Sequence, residues 1–236
     1  MHTTLRMYQG TDIRMSRSSG DLAGQRRLVV VIASDQRSGT TELAHDLAMR
    51  LDALDLGEYF NPWGGQKTLP RRCPSNASLR ITARAAHPLQ SVVETRDACG
   101  YRVVIVRLFP LRWAGTLTSP ERTPMELLSK DTHVLVLERN PWERFCSKRR
   151  AIATHDWLSR RETHPQCLYN ASDESEWRAF LAAHRHWFAR VRLAAVARAA
   201  SALEVSFESI ESRGREHRNV SGRNATIDAV VRWLGI

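Results

Sequence analysis

Residues 34–41, Ser34-Asp35-Gln36-Arg37-Ser38-Gly39-Thr40-Thr41, crowd hydroxyls, a glycine and one guanidinium into a single short stretch. Hydroxyl donors, a guanidinium fork and the backbone N–H groups of a helix start are the groups that hold a phosphate or sulfate. Gly39 would let the backbone come close to such an anion. The spaced glycines and lysine of the Walker pattern, which serve a Mg²⁺-bound nucleotide phosphate, are missing. A second stretch, RNPWERFCS (139–147), sets Ser147 eight residues after Arg139. A third, ESRGREHRN (211–219), supplies Arg213, Arg215 and Arg218.

These stretches need a frame. Leu28 to Ala33 is an unbroken apolar run, the pattern of a parallel strand covered on both faces. Leu43, Leu47, Leu51 and Leu54 then recur at helical spacing, which predicts a helix from Thr40 to Leu54 capped by Thr40 or Ser38. Turn residues mark 61–80 as loop, and a helix is predicted around 86–97. YRVVIVRLF (101–109), THVLVLE (132–138) and LEVSFESI (203–210) read as further strands. PMELLSK reads as a short helix, and Pro141 opens another, where its missing N–H costs nothing. Residues 174–200 form a long amphipathic helix with Trp177, Leu181, His184, Phe188 and Val191 along one face. Residues 211–224 read as a basic loop, and ATIDAVVRWLGI as a closing helix. Strands alternating with helices predict an α/β fold, three layers deep (α/β/α), around a central, mainly parallel sheet. In such a sheet the loops at 34–41, 139–147 and 208–223 gather beyond the carboxyl ends of the strands, where ligands bind.

Composition sets the bounds. The chain has 236 residues, enough for one α/β domain, 27–236, behind a flexible basic tail at 1–26. Its net charge of +10 favours polyanionic partners. No apolar run nears the roughly 20 residues needed to cross a bilayer, and the first residues lack the apolar core of a secretory signal. Cys73, Cys99, Cys146 and Cys167 are widely spaced with no CxxC pair, and are read as reduced thiols of a cytoplasmic protein. Asn76, Asn170, Asn219 and Asn224 begin sequons that would matter in the alternative, a Golgi or organelle location for a fragment or a chain with a transit peptide. His155, His164 and Cys167 find no fourth partner at a ligand's spacing, so no metal is expected.

DQRSGTT and RNPWERFCS together resemble the sulfotransferases that use 3′-phosphoadenosine-5′-phosphosulfate (PAPS), with a P-loop-like fold. Their phosphosulfate loop reads like PRSGTT, and their 3′-phosphate motif runs from an arginine after a strand to a serine eight residues on. LGEYFNP (56–62), VVIVRLF (with Arg107 where a lysine is common), VSFESI and VVRWLGI resemble further segments of bacterial-type members, in order. The resemblance implies that Arg37, Ser38, Gly39, Thr40 and Thr41 hold the 5′-phosphosulfate. It implies that Arg139 and Ser147 hold the 3′-phosphate, and Arg213, Arg215 and Arg218 are candidates for further contacts with it, Arg215 first among them. Adenosine 3′,5′-bisphosphate would be the product, and no metal is required. Arg37 stands where many members have lysine; it keeps the charge but cannot release its proton. The RKGxxGDWK loop of the cytosolic members is replaced by ESRGREHRN. The same resemblance makes Glu58 the base for the acceptor, with His87, His133 and His155 as alternatives. A carbohydrate or other small molecule is the expected acceptor, and no nucleic acid. A P-loop kinase using ATP and a non-catalytic nucleic-acid-binding protein remain the rival classes.

Overall fold

An apolar segment can run through the middle of a domain only where water is kept from both its faces, and Leu28–Ser34 does so as a strand buried at every residue. The computed structural model describes residues 7–8, 27–35, 38–60, 69–70, 73–74, 87–110, 125–154, 173–210 and 220–236. In chain order the elements are β1 (Met7–Tyr8), β2 (Leu28–Ser34), α1 (Thr40–Leu51), β3 (Leu54–Asp55), α2 (Pro88–Ala98) and β4 (Val103–Leu108). A single 3₁₀ turn at Met125–Leu127 precedes β5 (His133–Glu138), α3 (Pro141–Thr154) and α4 (Glu174–Ala197). β6 (Ser201–Ser206), α5 (Phe207–Ile210) and α6 (Val220–Leu234) complete the described elements.

The strands make one sheet in the order β1-β6-β5-β2-β4-β3. β2 to β6 are parallel. β1, within the segment expected as a tail, is antiparallel to β6, with Met7 opposite Leu203 and Tyr8 opposite Ala202. Alternation along β2 divides the core in two. Val29, Val31 and Ala33 face the side of α2 and α4, where they join Val92, Phe188 and Val191. Leu28, Val30 and Ile32 face the other side and join Leu43 and Leu47 of α1 and Ile227 and Val230 of α6. The protein is therefore α/β, with three layers around a mainly parallel sheet. β2 and β5 are neighbours, yet β2 feeds α1 on one face, whereas β5 leads through α3 to α4 on the other. Their loops part company at the carboxyl edge, the topological position at which doubly wound sheets take ligands.

Three expected boundaries differ. The leucine spacing of α1 continues through Leu54, but Asp52 turns left-handed at φ 45° and Ala53 N–H bonds to the Ala48 carbonyl at 2.9 Å. Leu54 thus opens the edge strand β3. β6 ends at Ser206, and Phe207–Ile210 turn into a helix, so FESI is not strand. Residues 220–224, expected as loop, already belong to α6. Of the long polar stretches expected as loop or irregular, 61–68, 155–172 and 211–219 lie outside the described residues.

The cysteines overturn the reading of reduced thiols. Cys73 and Cys99 form a disulfide across 26 residues of sequence. Cys146 is disulfide-bonded as well. The Cys73–Cys99 bridge ties a distant segment to the end of α2, just before β4. Loop closure of that length is worth about 3 kcal/mol. We expect Cys73→Ala/Cys99→Ala to lower Tm in non-reducing buffer by roughly 6–12 °C. Calorimetry giving the wild-type Tm for the double variant would contradict the bridge.

Candidate anion site at the carboxyl edge

The loop after β2 is closed at its base by two hydroxyls: Ser34 Oγ lies 2.7 Å from Thr40 Oγ1. Gly39 caps α1 with φ 72° and ψ 14°, a left-handed conformation that side chains with a Cβ resist. As a glycine, the N-cap residue offers no side-chain cap. Neither Ser38 nor Thr40 takes the capping role expected of it, because Thr40 Oγ1 is engaged by Ser34. Ser38 Oγ is buried and makes no hydrogen bond among the described residues. The first N–H groups of an α-helix have no intrahelical acceptor. An uncapped helix start beside a buried hydroxyl that lacks a partner is suited to an anion. Gln36 and Arg37 lie outside the described residues.

Arg107 supports this loop from β4. Its buried guanidinium donates to Thr41 Oγ1 at 2.9 Å and pairs with Asp55 at 3.1 Å. Asp55 also accepts the Gly57 N–H at 2.8 Å, which shapes the turn that carries Glu58. Tyr59 anchors the turn, its hydroxyl 2.8 Å from Thr95 Oγ1 and 3.1 Å from Ser91 Oγ on α2. Glu58 is half-buried there, just beyond the strand edge.

The second stretch meets the first. Arg139 follows β5 directly, and its buried guanidinium lies over the Phe207 ring, 4.4 Å from the centroid. The same ring covers Gly39: a Cβ there would sit 2.0 Å from Phe207 Cε2. Phe207 therefore joins the helix start of α1 to Arg139. Asn140 caps α3, accepting the N–H groups of Trp142 at 2.9 Å and Glu143 at 3.3 Å, and its own N–H bonds to Glu208 at 2.9 Å. Ser147 is buried on α3. Arg139, Glu143 and Ser147 succeed one another at four-residue steps, and Glu143 pairs with Arg139 at 3.2 Å. An incoming phosphate would compete with that exposed carboxylate. Of the loop at 208–223, Glu208–Ile210 reach this edge, and Arg213, Arg215 and Arg218 lie outside the described residues.

The alternative bases separate. His133 begins β5, at the amino edge opposite the loops, where it meets Trp233 edge to face at 5.3 Å. His87, exposed, opens α2. His155 lies outside the described residues.

A chain of charges runs behind the loop that sequence reading had not found. Arg144 of α3 forms an ion pair with Asp35, the first residue after β2, and both are buried. Arg144 also bonds to Nδ1 of His184 at 2.8 Å, and His184 Nε2 reaches Glu138 at 3.2 Å. Arg192 bridges Glu138 at 2.6 Å and Glu204 at 2.5 Å. Its members are far apart in sequence and leave no local pattern; His184 had read as a packing residue, and it does pack, against Phe188. Among the described residues no three His, Cys, Asp or Glu side chains come together as metal ligands. No described helix is long and apolar enough to cross a membrane.

No protein-family model and no curated protein matches the chain. Among solved structures it is similar to a shikimate kinase from Bacteroides thetaiotaomicron, with 14% identity over 89% of this chain and 99% of that one and a TM-score of 0.45. At that level the likeness carries no argument about activity. The α/β class rests on the sheet itself.

The His184 hydrogen bond, aided by Arg192, holds the Glu138 carboxyl below the usual glutamate value of 4.5. A carboxylate depressed on folding stabilises the protein above its unfolded pKa, and that contribution is lost as pH falls towards the folded value. Glu138→Gln should therefore melt below wild type at neutral pH, with the gap closing as pH falls below about 4.5. Melting curves of the pair across that range decide it: a gap that stays constant in acid would mean the carboxylate charge contributes nothing.

Proposed function

We propose that this protein is a sulfotransferase that moves the sulfuryl group of PAPS to a hydroxyl or amine of a carbohydrate or other small-molecule acceptor. The observation that carries the reading is the junction at Phe207. One ring covers Gly39 at the start of α1 and stacks on Arg139 after β5, which supports two anion sites side by side on adjacent strands. A nucleotide with phosphates at its 5′ and 3′ positions needs two such sites. In this reading the uncapped start of α1, Ser38 and Arg37 neutralise the 5′-phosphate, while Arg139 and Ser147 take the 3′-phosphate and Arg215 adds a further contact.

In the reaction the S–O bond to the bridging phosphate oxygen breaks as the acceptor oxygen or nitrogen bonds to sulfur. The acceptor proton passes to Glu58, and the leaving phosphate keeps the electron pair under the fixed charge of Arg37. Arginine is suited to charge stabilisation rather than to donating a proton. The disulfides support an oxidising compartment, such as the Golgi lumen, over the cytoplasm.

The second reading is a P-loop kinase using ATP. The loop sequence weighs against it, since the lysine that would hold the β- and γ-phosphates is missing. Thermal denaturation with each nucleotide separates them. Adenosine 3′,5′-bisphosphate at about 100 times its Kd should raise Tm by roughly 5 °C or more, and ATP with Mg²⁺ should not. A rise with ATP and Mg²⁺ alone would overturn the sulfotransferase reading in favour of the kinase. In the same assay Arg139→Ala should weaken the bisphosphate about tenfold, the worth of one charged hydrogen bond, and leave adenosine 5′-phosphosulfate little changed. Equal losses for both nucleotides would remove Arg139 from the 3′-phosphate site.

A further inference from the structure

The loop after β2 and helix α3 are joined by one buried ion pair. Asp35 and Arg144 have side-chain exposures of 11% and 5%, so neither charge is shared with bulk water. Arg144 lies over the Phe180 ring at 4.2 Å, and NH1 meets His184 Nδ1 at 2.8 Å. A guanidinium has only donors. Nδ1 must therefore accept, the ring proton sits on Nε2, and it is donated to Glu138. Glu138 is held in turn by Arg192, and Arg192 by Glu204 of β6. Signs alternate from Asp35 through Arg144, Glu138 and Arg192 to Glu204, with the imidazole as the spacer between Arg144 and Glu138. Burial pulls the Arg144 guanidinium down, and Asp35 opposes the shift.

A buried pair of this kind can often be replaced by apolar side chains without loss of stability. Its particular effect is geometric: it fixes one backbone against another. Here it fixes the exit of β2 against α3, which carries Ser147 and starts directly after Arg139.

We infer that Arg144, oriented by His184, is a positioning residue that sets the separation of the two anion loops and so selects ligands carrying two phosphates over ligands carrying one. This rests on the two-anion reading above. Two sites held at a fixed distance bind a matching ligand better than the same sites free to drift, because the second contact is already in place when the first forms. A ligand that uses one site gains nothing from the spacing. Loosening the pair should therefore erase preference and leave single-site binding in place.

The experiment compares adenosine 3′,5′-bisphosphate with adenosine 5′-phosphate by calorimetry. Asp35→Asn/Arg144→Met removes both charges, so that neither is stranded. His184→Leu removes the acceptor of Arg144, and His184→Asn restores one near the place of Nδ1. The double variant and His184→Leu should bind the bisphosphate about tenfold more weakly and the monophosphate as wild type does, and His184→Asn should recover the preference. Unchanged preference, or equal loss for both nucleotides, would overturn the inference. Amide exchange at Ser38 to Thr41, read by NMR, gives a second measurement that needs no ligand. If wild type binds neither nucleotide, the proposed function fails by itself. Faster exchange at those amides in the double variant, with β2 unchanged, would then still support Arg144 as the anchor of the loop, and unchanged exchange would refute it.

Discussion

A single missing Cβ holds the carboxyl edge of this sheet together. Gly39 takes up a left-handed turn and lies under the face of Phe207, so closely that a methyl group would overlap the ring at 2.0 Å. Either condition alone favours glycine, and with both in place any other residue would be strained and would have to displace the Phe207 ring. Through that contact the start of α1, the exit of β6 and the guanidinium of Arg139 occupy one small volume. β2, which leads into the turn, is buried at every residue.

Much of this was legible from the residues. β2, β4 and β5 announce themselves as apolar runs, because a strand covered on both faces has no polar side to show. Gly39 stands out between hydroxyls. β3 was hidden because Leu54 continues the leucine spacing of α1, and only the left-handed turn at Asp52 breaks the helix. FESI alternates like a strand, yet Phe207 is needed over Gly39, and the chain coils there. The Cys73–Cys99 bridge had no spacing signature to reveal it. The pairing of Arg144 with Asp35 was out of reach of any local pattern, since 109 residues separate them and only the adjacency of β2 and β5 brings them together.

The arginines of the chain divide into distinct roles. Arg50 and Arg178 form exposed pairs with Asp228 and Glu174, of the kind worth little to stability. Arg107, Arg139 and Arg144 are buried at the carboxyl edge, each beside a carboxylate. A net charge of +10 gives no hint of this division. What distinguishes the second group is that its charges are held by neighbouring elements instead of being left to solvent.

The outer margins of the sheet bear on behaviour in concentrated solution. An open strand edge offers a row of unpaired backbone groups to any passing chain. Along β6 two of those positions are taken by Met7 and Tyr8 running the opposite way, and at the far margin β3 extends for only two residues. Among the described residues each margin is therefore interrupted by a two-residue strand, which shortens the template open to intermolecular strand addition. Met7 and Tyr8 thus shorten the open edge of β6, a role unrelated to catalysis.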